Sequence, residues 1–162
     1  MNDDLLLSID GDVARPAALR FDDLCAVDAA HQVPDVSVID PQRSGGGVTL
    51  AGLLERVEPR PAVRYITLHA SADDFHASVP LEAVLDRGVL LYRQGDGPLP
   101  NAAGGPLRFL IRDFAACHSA EVDECANVKF VDHIELTRDK GYDNRPEDDA
   151  EHEALHRKEV DE

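Results

Sequence analysis

Short apolar stretches alternate with polar turns that contain glycine or proline as far as Leu136. Several stretches place apolar residues at every second position or in a brief continuous run, which is typical of β-strands. The predicted strands are residues 5–10, 36–39, 63–69, 75–79, 89–92, 107–112 and 128–136. Because these short strands outnumber the helical segments, the pattern favours an α/β domain.

Apolar residues spaced by three and four positions predict two short helices in the first third of the chain. Phe21, Leu24 and Cys25 form the apolar side of the first helix, with Cys25 as a small core residue. The second helix begins after Thr49, a residue type that caps helix N-termini, and ends before Pro59. Its apolar face consists of Leu50, Leu53, Leu54 and Val57.

Residues 63–69 and 75–79 are predicted to pair as a hairpin or to lie close together, because Asp73 and Asp74 between them favour a turn. The two aspartates also match a catalytic carboxylate pair, but a solvated turn is the simpler interpretation. Pro80 suits the first position of a third short helix, and Gly88 ends that helix.

Acidic residues dominate the charge of the chain. The net charge is −16 and the isoelectric point is near 4.6. Such a charge repels phosphate backbones and anionic membranes, so neither nucleic acid nor a membrane is an expected partner. No apolar run approaches the roughly 20 residues of a membrane span. The N-terminal stretch lacks the basic region of a signal peptide, so a cytoplasmic location is expected.

The length of 162 residues suits one domain with its own core. After Leu136 the apolar pattern fades, and residues 143–162 contain nine acidic and three basic side chains. We therefore predict a folded domain over residues 1–142 and an acidic C-terminal tail over residues 143–162.

Cysteine and histidine residues offer a separate kind of chemistry. One group provides four nitrogen or sulfur donors: Cys117, His118, Cys125 and His133. Its Cys-x7-Cys spacing departs from the common zinc knuckles, so free thiols are the alternative. His152 and His156 of the sequence HEALH match a zinc-protease motif formally, but they lie in the charged tail. No metal ligand and no catalytic residue is assigned from these groups.

Other common site motifs are absent from the sequence. The three glycines at residues 45–47 are not followed by the Gly-Lys-Ser/Thr of a P-loop, and a flexible turn before a helix explains them. The chain contains neither a G-x-S-x-G nor a G-x-G-x-x-G motif. A serine-hydrolase elbow and a dinucleotide site are therefore not expected.

Five short motifs occur in a fixed order along the chain: LSIDGDVARPAAL, GVTLAGLLERV, FHASVPLEAVLDRGVLLY, GPLRFLI and NVKFVDHIEL. Over residues 5–138 this succession resembles the molybdopterin-binding domain of the sulfite oxidase family. The resemblance implies a sulfite-oxidase-type α/β (α+β) fold, with mixed, mostly antiparallel sheets and short helices. It also implies an oxidoreductase family with molybdopterin as the cofactor.

The resemblance draws attention to one loop and to four polar residues. In that family a cysteine thiolate in the loop after the strand at residues 36–39 binds molybdenum, whereas this chain has Asp40 and no cysteine there. A carboxylate is a hard oxygen ligand and does not reproduce a soft thiolate. The resemblance places cofactor contacts at Arg43, Arg108, Asn127 and Lys129, which together imply a pocket for an anionic, phosphate-bearing pterin.

From these residues we expect a divergent, stand-alone family member that lacks the family's redox centre. Its expected role is to bind a pterin or another small anion, or to act as a regulatory domain. An active molybdopterin-dependent oxidoreductase with non-standard metal ligation is the second hypothesis, with Cys117 or Cys125 as the metal ligand. A Cys/His metal-binding interaction protein is the third.

Overall fold

The computed structural model describes residues 5–39, 41, 43–95, 97–112 and 128–144. In these residues the strands are β1 Leu5–Gly11, β2 Ala17–Arg20, β3 Gln32–Val33, β4 Gly46–Thr49, β5 Tyr65–Ala70, β6 Phe75–Pro80, β7 Gly88–Gln94, β8 Gly97–Pro98, β9 Arg108–Ile111 and β10 His133–Thr137. The α-helices are α1 Phe21–Cys25, α2 Leu50–Val57 and α3 Leu81–Val84. None of the helices in this part of the chain is both long and apolar enough to cross a membrane.

The first sheet has the strand order β2-β1-β10-β5-β6. Its central strand, β10, pairs in parallel with β1, so that Ile9 lies opposite Ile134. On its other side β10 pairs antiparallel with β5, and β5 forms the predicted hairpin with β6. The turn of this hairpin contains Asp74 in the left-handed region, with φ +48, which agrees with the turn interpretation of the two aspartates.

The second sheet is built around β7. It has the order β3-β4-β7-β8, and β9 also pairs with β7. All of these pairings are antiparallel. The predicted α/β (α+β) class, with mixed and mostly antiparallel sheets and short helices, is therefore confirmed for the described residues.

Apolar side chains from both sheets and from α2 form the main core. α2 starts as predicted, because the Thr49 hydroxyl accepts a hydrogen bond from the N–H of Gly52 at 3.1 Å. The four apolar residues of its predicted face, Leu50, Leu53, Leu54 and Val57, are all buried in this core. Each contributes roughly 2 kcal/mol of hydrophobic stabilisation when it leaves water.

A smaller apolar cluster lies apart from the main core and involves the second sheet. Its buried members are Val33, Val36, Val89, Leu91, Leu99 and Leu110. Successive residues of a strand point to opposite faces of its sheet. Leu90 and Phe109 join the main core while Leu91 and Leu110 join this smaller cluster, so the second sheet is covered on both faces.

The predicted strand at residues 36–39 is wrong. A 3-10 helix occupies Val36–Val38, and the Asp35 carboxylate caps it by accepting from the N–H of Ser37 at 3.0 Å. The place beside β4 at this edge is already taken by β3, so residues 36–39 have no strand to pair with. The β-branched residues that suggested a strand instead place Val36 in the smaller cluster.

Two further predictions need correction. The strand predicted at residues 128–136 starts only at His133, because Phe130 adopts a left-handed conformation, with φ +62, and its N–H bonds to the Gly104 carbonyl. Cys25 is exposed rather than buried, since α1 ends at this residue and buries only Phe21 and Leu24.

After β10 the chain folds back over the outer face of the first sheet. We call residues 139–144 the strap. The backbone of Asn144 donates to the His76 carbonyl, and its side-chain oxygen accepts from the His76 N–H at 2.8 Å. The Asp143 carboxylate accepts from the N–H of Ser78 at 3.1 Å. The strap thereby satisfies backbone donors on the edge strand β6 that have no neighbouring strand.

Candidate functional site

Three of the four predicted cofactor residues belong to the described part of the chain, and the fold brings their segments to the same end of the second sheet. Arg43 lies two residues before Gly45, at the glycine turn that leads into β4. Gly45 in this turn has φ +118, and a Cβ there would lie 2.2 Å from the Arg93 carbonyl oxygen. Only glycine allows the turn to lie this close to β7, so the turn fixes where the Arg43 backbone sits.

Arg108 approaches the same region from the other side of β7. It opens β9 and lies directly opposite Leu91 in the β7–β9 ladder. Since Leu110 lies two positions further along the strand and belongs to the smaller cluster, Arg108 shares that face of the sheet. The two arginines therefore flank β7 at the end of the smaller apolar cluster.

The Arg108 guanidinium and the base of the Lys129 side chain both approach the backbone of Gly104, while the Lys129 ammonium lies 5.5 Å from the Phe130 ring centroid. A Cβ at Gly104 would lie 2.9 Å from Nη1 of Arg108 and 3.2 Å from Cβ of Lys129. Its φ of +99 and its carbonyl, which accepts from the Phe130 N–H at 2.8 Å, fix the peptide between the two residues. A bare backbone with adjacent basic side chains is the arrangement with which proteins approach phosphate groups.

The predicted arginines also have buried polar atoms at this place. The Nε atoms of Arg43 and Arg108 are both buried, and both residues take part in further interactions within the described structure. Donors of this kind fit an anion better than an apolar ligand. Asn127, the fourth predicted contact, and Asp40, at the position of the family's thiolate, lie outside the described residues.

Arg93 is an additional cation that the sequence analysis did not select. It lies opposite Gly46 in the β4–β7 ladder, and a Cβ on that glycine would lie 2.4 Å from the guanidinium carbon. The signal was present in the sequence, because the three consecutive glycines leave room for a long side chain on the neighbouring strand. Arg93 also approaches the Tyr92 ring, with its guanidinium carbon 6.0 Å from the ring centroid.

The loop that leads towards residue 40 begins at Asp35. Hydrogen bonds from the Ser37 side chain, and then from the Ser37 N–H, lower the pKa of the Asp35 carboxyl. Asp35 therefore stays ionised and keeps its capping role in moderately acid solution. The N–H of Val36 bonds to the Gly45 carbonyl at 2.9 Å, which joins both ends of the loop.

Cys25 is the only cysteine within the described residues. Its side chain interacts with Tyr92, whose hydroxyl donates to Oε1 of Gln32 at 2.9 Å. Burial, followed by the interaction with the Cys25 thiol, raises the pKa of the Tyr92 phenol. These contacts connect α1 and β3 to Tyr92 of β7, so Cys25 has a structural role here and not a metal-binding one. Cys117, His118, Cys125, His152 and His156 lie outside the described residues.

A second polar site lies on the outer face of the first sheet, and the sequence analysis missed it. Its histidines are His69 on β5, His76 on β6 and His133 on β10. The rings of His69 and His133 stack at 4.7 Å, and the rings of His69 and His76 meet edge to face at 5.0 Å. We call these three residues the histidine cluster.

Each member of the histidine cluster also has a carboxylate partner. The distances from Nε2 are 3.1 Å to Glu135 for His69, 3.0 Å to Asp74 for His76 and 2.7 Å to Asp10 for His133. Among the residues that the structure describes, no group of three or more His, Cys, Asp or Glu side chains is arranged to hold a metal ion. The cluster is a network of hydrogen-bonded imidazoles and carboxylates.

His69 and His76 are seven residues apart on the predicted hairpin, whereas His133 is distant from both in the sequence, and the strand register brings the three together. His69 lies opposite His76 in one ladder and opposite His133 in the next. The available signal was that each histidine occupies a polar position that alternates with buried apolar residues in its strand. Without the pairing order of β10 and β5, that alternation did not show that the three would meet.

Comparisons with known proteins agree with this fold. Residues 46–144 match the family of the oxidoreductase molybdopterin binding domain. The match spans more than half of the chain and includes Arg93, Gly104, Arg108 and Lys129. The chain belongs to the oxidoreductase molybdopterin-binding domain family.

A solved structure shows the same fold. The crystal structure of the sulfane dehydrogenase SoxCD from Paracoccus pantotrophus superposes with a TM-score of 0.60 over 85% of this chain, at 17% sequence identity. The superposition covers 39% of the SoxCD chain, so this chain spans well under half of that protein's length. A search of curated proteins finds no match.

Proposed function

We propose that this chain is a divergent molybdopterin-binding-type domain that holds a phosphate-bearing pterin, or a similar small anion, without the family's molybdenum–thiolate centre. The observation that carries the proposal is that the Arg108 guanidinium and the base of the Lys129 side chain both approach the bare backbone of Gly104. Arg43 adds a third cation from the other side of β7, and Asn127 is proposed as a polar contact next to them.

The charge of the protein makes this group of cations informative. The chain has 16 basic and 32 acidic residues, so a local excess of basic side chains is unusual on its surface. Guanidinium groups bind phosphate oxygens in pairs of parallel hydrogen bonds, and an ammonium group adds a point charge.

The donors fit the phosphate-bearing end of the cofactor, but the family's metal ligand is missing. A molybdenum-loaded pterin supplies redox chemistry, and in this family a cysteine thiolate holds its metal. The sequence has no cysteine between Cys25 and Cys117, and it has Asp40 where the resemblance places the thiolate. We therefore propose binding or regulation as the role of the domain, and a pterin or related anion as its partner.

The test is to purify the protein from a host that has sufficient molybdenum and to quantify bound pterin by fluorescence after oxidation and bound molybdenum by elemental analysis. We expect pterin without stoichiometric molybdenum. Arg108→Gln and Lys129→Gln should each lower pterin retention by about tenfold, the effect of losing one charge-assisted hydrogen bond of roughly 1.4 kcal/mol.

Arg15→Gln is the matched control, because Arg15 is exposed and pairs only with Glu58 at 3.2 Å among its ion pairs in the described structure. It should leave pterin retention unchanged. One molybdenum per chain would overturn the non-redox proposal and favour the active oxidoreductase with another metal ligand. Pterin retention that is the same in all three variants would overturn the assignment of the site.

A further inference from the structure

The His69 and His76 side chains face each other across the β5–β6 ladder through the same ring atom. Their Nδ1 atoms lie 2.7 Å apart, which is hydrogen-bonding distance. Each ring also points its Nε2 atom at a carboxylate oxygen, of Glu135 or of Asp74. Both histidine side chains are largely buried, with relative exposures of 12% and 15%.

Counting the hydrogen atoms in these contacts determines the charge of the pair. An ionised carboxylate only accepts, so each of the two Nε2 atoms must carry a proton. The bond between the two Nδ1 atoms needs one donor and one acceptor, so it uses one further proton. To satisfy all three contacts at once, the pair would need three of the four protons that two imidazolium rings carry, which corresponds to a charge of +1.

The strap is attached to one partner of this pair. The backbone of His76 exchanges hydrogen bonds with Asn144 in both directions, and Nδ2 of Asn144 donates to the Asp74 carbonyl at 2.6 Å. The Tyr142 ring packs against the His76 ring with 4.7 Å between centroids. A change in the position of the His76 ring therefore reaches the strap through Tyr142 and the backbone of β6.

We infer that the His69–His76 pair is a pH-sensitive latch, which holds the strap on the first sheet while the two rings share a single proton. A fourth proton in acid solution places two N–H groups against each other at a distance that suits only one, and it brings two positive charges together. Loss of a proton in alkaline solution leaves one carboxylate facing a ring nitrogen lone pair. The latch is closed at pH values between the gain of the fourth proton and the loss of the third.

Other titratable groups lie on the elements around the pair. They are Asp10 on β1, Asp132, His133 and Glu135 at β10, Asp74 in the hairpin turn, and Tyr142 and Asp143 in the strap. The carboxylates favour the singly charged pair over the neutral one. Ordinary carboxyl groups titrate near pH 4, whereas histidines change charge between about pH 5 and pH 8, so the acid limb of the latch is separable from general acid unfolding.

The first measurement is NMR of the unaltered full-length protein labelled with ¹⁵N at histidine. Near pH 7 we expect three of the four ring nitrogens of His69 and His76 to carry a proton, and a scalar coupling between the two Nδ1 atoms across their hydrogen bond. Two protons or four protons on the pair would overturn the inference directly. This result does not depend on any variant folding correctly.

The second measurement is hydrogen exchange of the His76 and Asn144 amides between about pH 5 and pH 8, corrected for intrinsic rates. If one proton controls the opening, the corrected exchange rate of these amides should rise by up to tenfold for each unit by which the pH falls. Tenfold per pH unit is the limit for a single-proton event. His69→Gln should remove this dependence, because the remaining ring has no second imidazole to share a proton with.

His31→Gln is the matched control. His31 also pairs with a carboxylate, that of Glu55 at 3.2 Å, but its contacts are with α2 and with Thr49, whose hydroxyl faces its Nδ1. This variant should keep the acid-dependent opening of Asn144. Equal pH dependence in the unaltered protein and in His69→Gln would overturn the latch, as would equal opening of amides in the second sheet.

Discussion

Thr67 donates a hydrogen bond of 3.0 Å to the hydroxyl oxygen of Ser78 across the β5–β6 ladder, and both residues are fully buried. The same oxygen accepts from the Gly141 N–H at 2.9 Å, which ties the strap to the middle of the hairpin. Ser78→Ala removes the acceptor of both donors. We expect it to lower the free energy of unfolding by about 1–3 kcal/mol, measured by urea denaturation.

Ser71→Ala is a suitable comparison for that prediction. The Ser71 hydroxyl donates to the Asp132 carboxylate at 3.1 Å, but this bond is exposed to water. We expect this change to stay within about 0.5 kcal/mol of the unaltered protein. A similar loss of stability in the two variants would show that the buried hydrogen bonds of Ser78 contribute no more to stability than the exposed bond of Ser71.

Gly52 lies inside α2, where alanine is normally the better helix former by about 1 kcal/mol. A Cβ at this position would lie 2.6 Å from Cβ of His31, which packs against the helix. We therefore expect Gly52→Ala to lower the thermal midpoint, against the helix propensity. Adding His31→Gly should restore stability by removing the contact, and an increase in the midpoint for Gly52→Ala alone would contradict the packing explanation.

Tyr92 gives the protein an alkaline dependence of stability. Its raised pKa means that the folded state holds the phenolic proton more tightly than the unfolded state. The resulting stabilisation is fully present below the ordinary tyrosine pKa of about 10 and is lost as the pH rises through the higher folded value. Tyr92→Phe should be less stable near pH 7, because Gln32 loses a donor, but its stability should fall less steeply above about pH 10.

Tyr142→Phe controls for the alkaline experiment, since Tyr142 is 59% exposed. Urea denaturation between about pH 8 and pH 11 should show the unaltered slope in this variant. If Tyr92→Phe and the unaltered protein lose stability in parallel over that range, the burial of the phenol does not cause the alkaline loss.

Gly104→Ala tests the cationic site without removing a charge. The new Cβ would press on the Arg108 guanidinium and on the side chain of Lys129, at a backbone φ of +99. We expect loss of pterin or phosphate binding in addition to reduced stability. Gly95→Ala separates the two effects, because Gly95 also has a positive φ, of +61, but no atom lies within 4 Å of the added Cβ. Normal binding in Gly104→Ala would contradict the proposed site.

The sequence predicted those elements whose signals are local. The Thr49 cap and the spacing of four apolar residues identified α2, and the paired aspartates identified the β5–β6 turn. The family motifs identified the fold class and the segments of Arg108 and Lys129. For α2 and for the β5–β6 turn, the residues that decide the structure lie close together in the sequence.

Features that depend on distant pairing were not predictable in the same way. Residues 36–38 contain β-branched side chains, but β3 holds the available edge of the sheet and the segment becomes a 3-10 helix. The alternation in β5 and β10 is correct for each strand separately. It does not give the order of the strands, and only that order places His133 over His69.

The position of β10 has a consequence for synthesis of the protein. In the first sheet β10 separates the β1–β2 pair from the β5–β6 pair, and it is the last strand in the described sequence. Those two pairs have no common ladder until residues 133–137 have left the ribosome. We therefore expect the nascent chain to stay incompletely folded, with apolar strand faces exposed, until almost the whole domain has been synthesised. A chaperone that shields such faces would act before β10 appears.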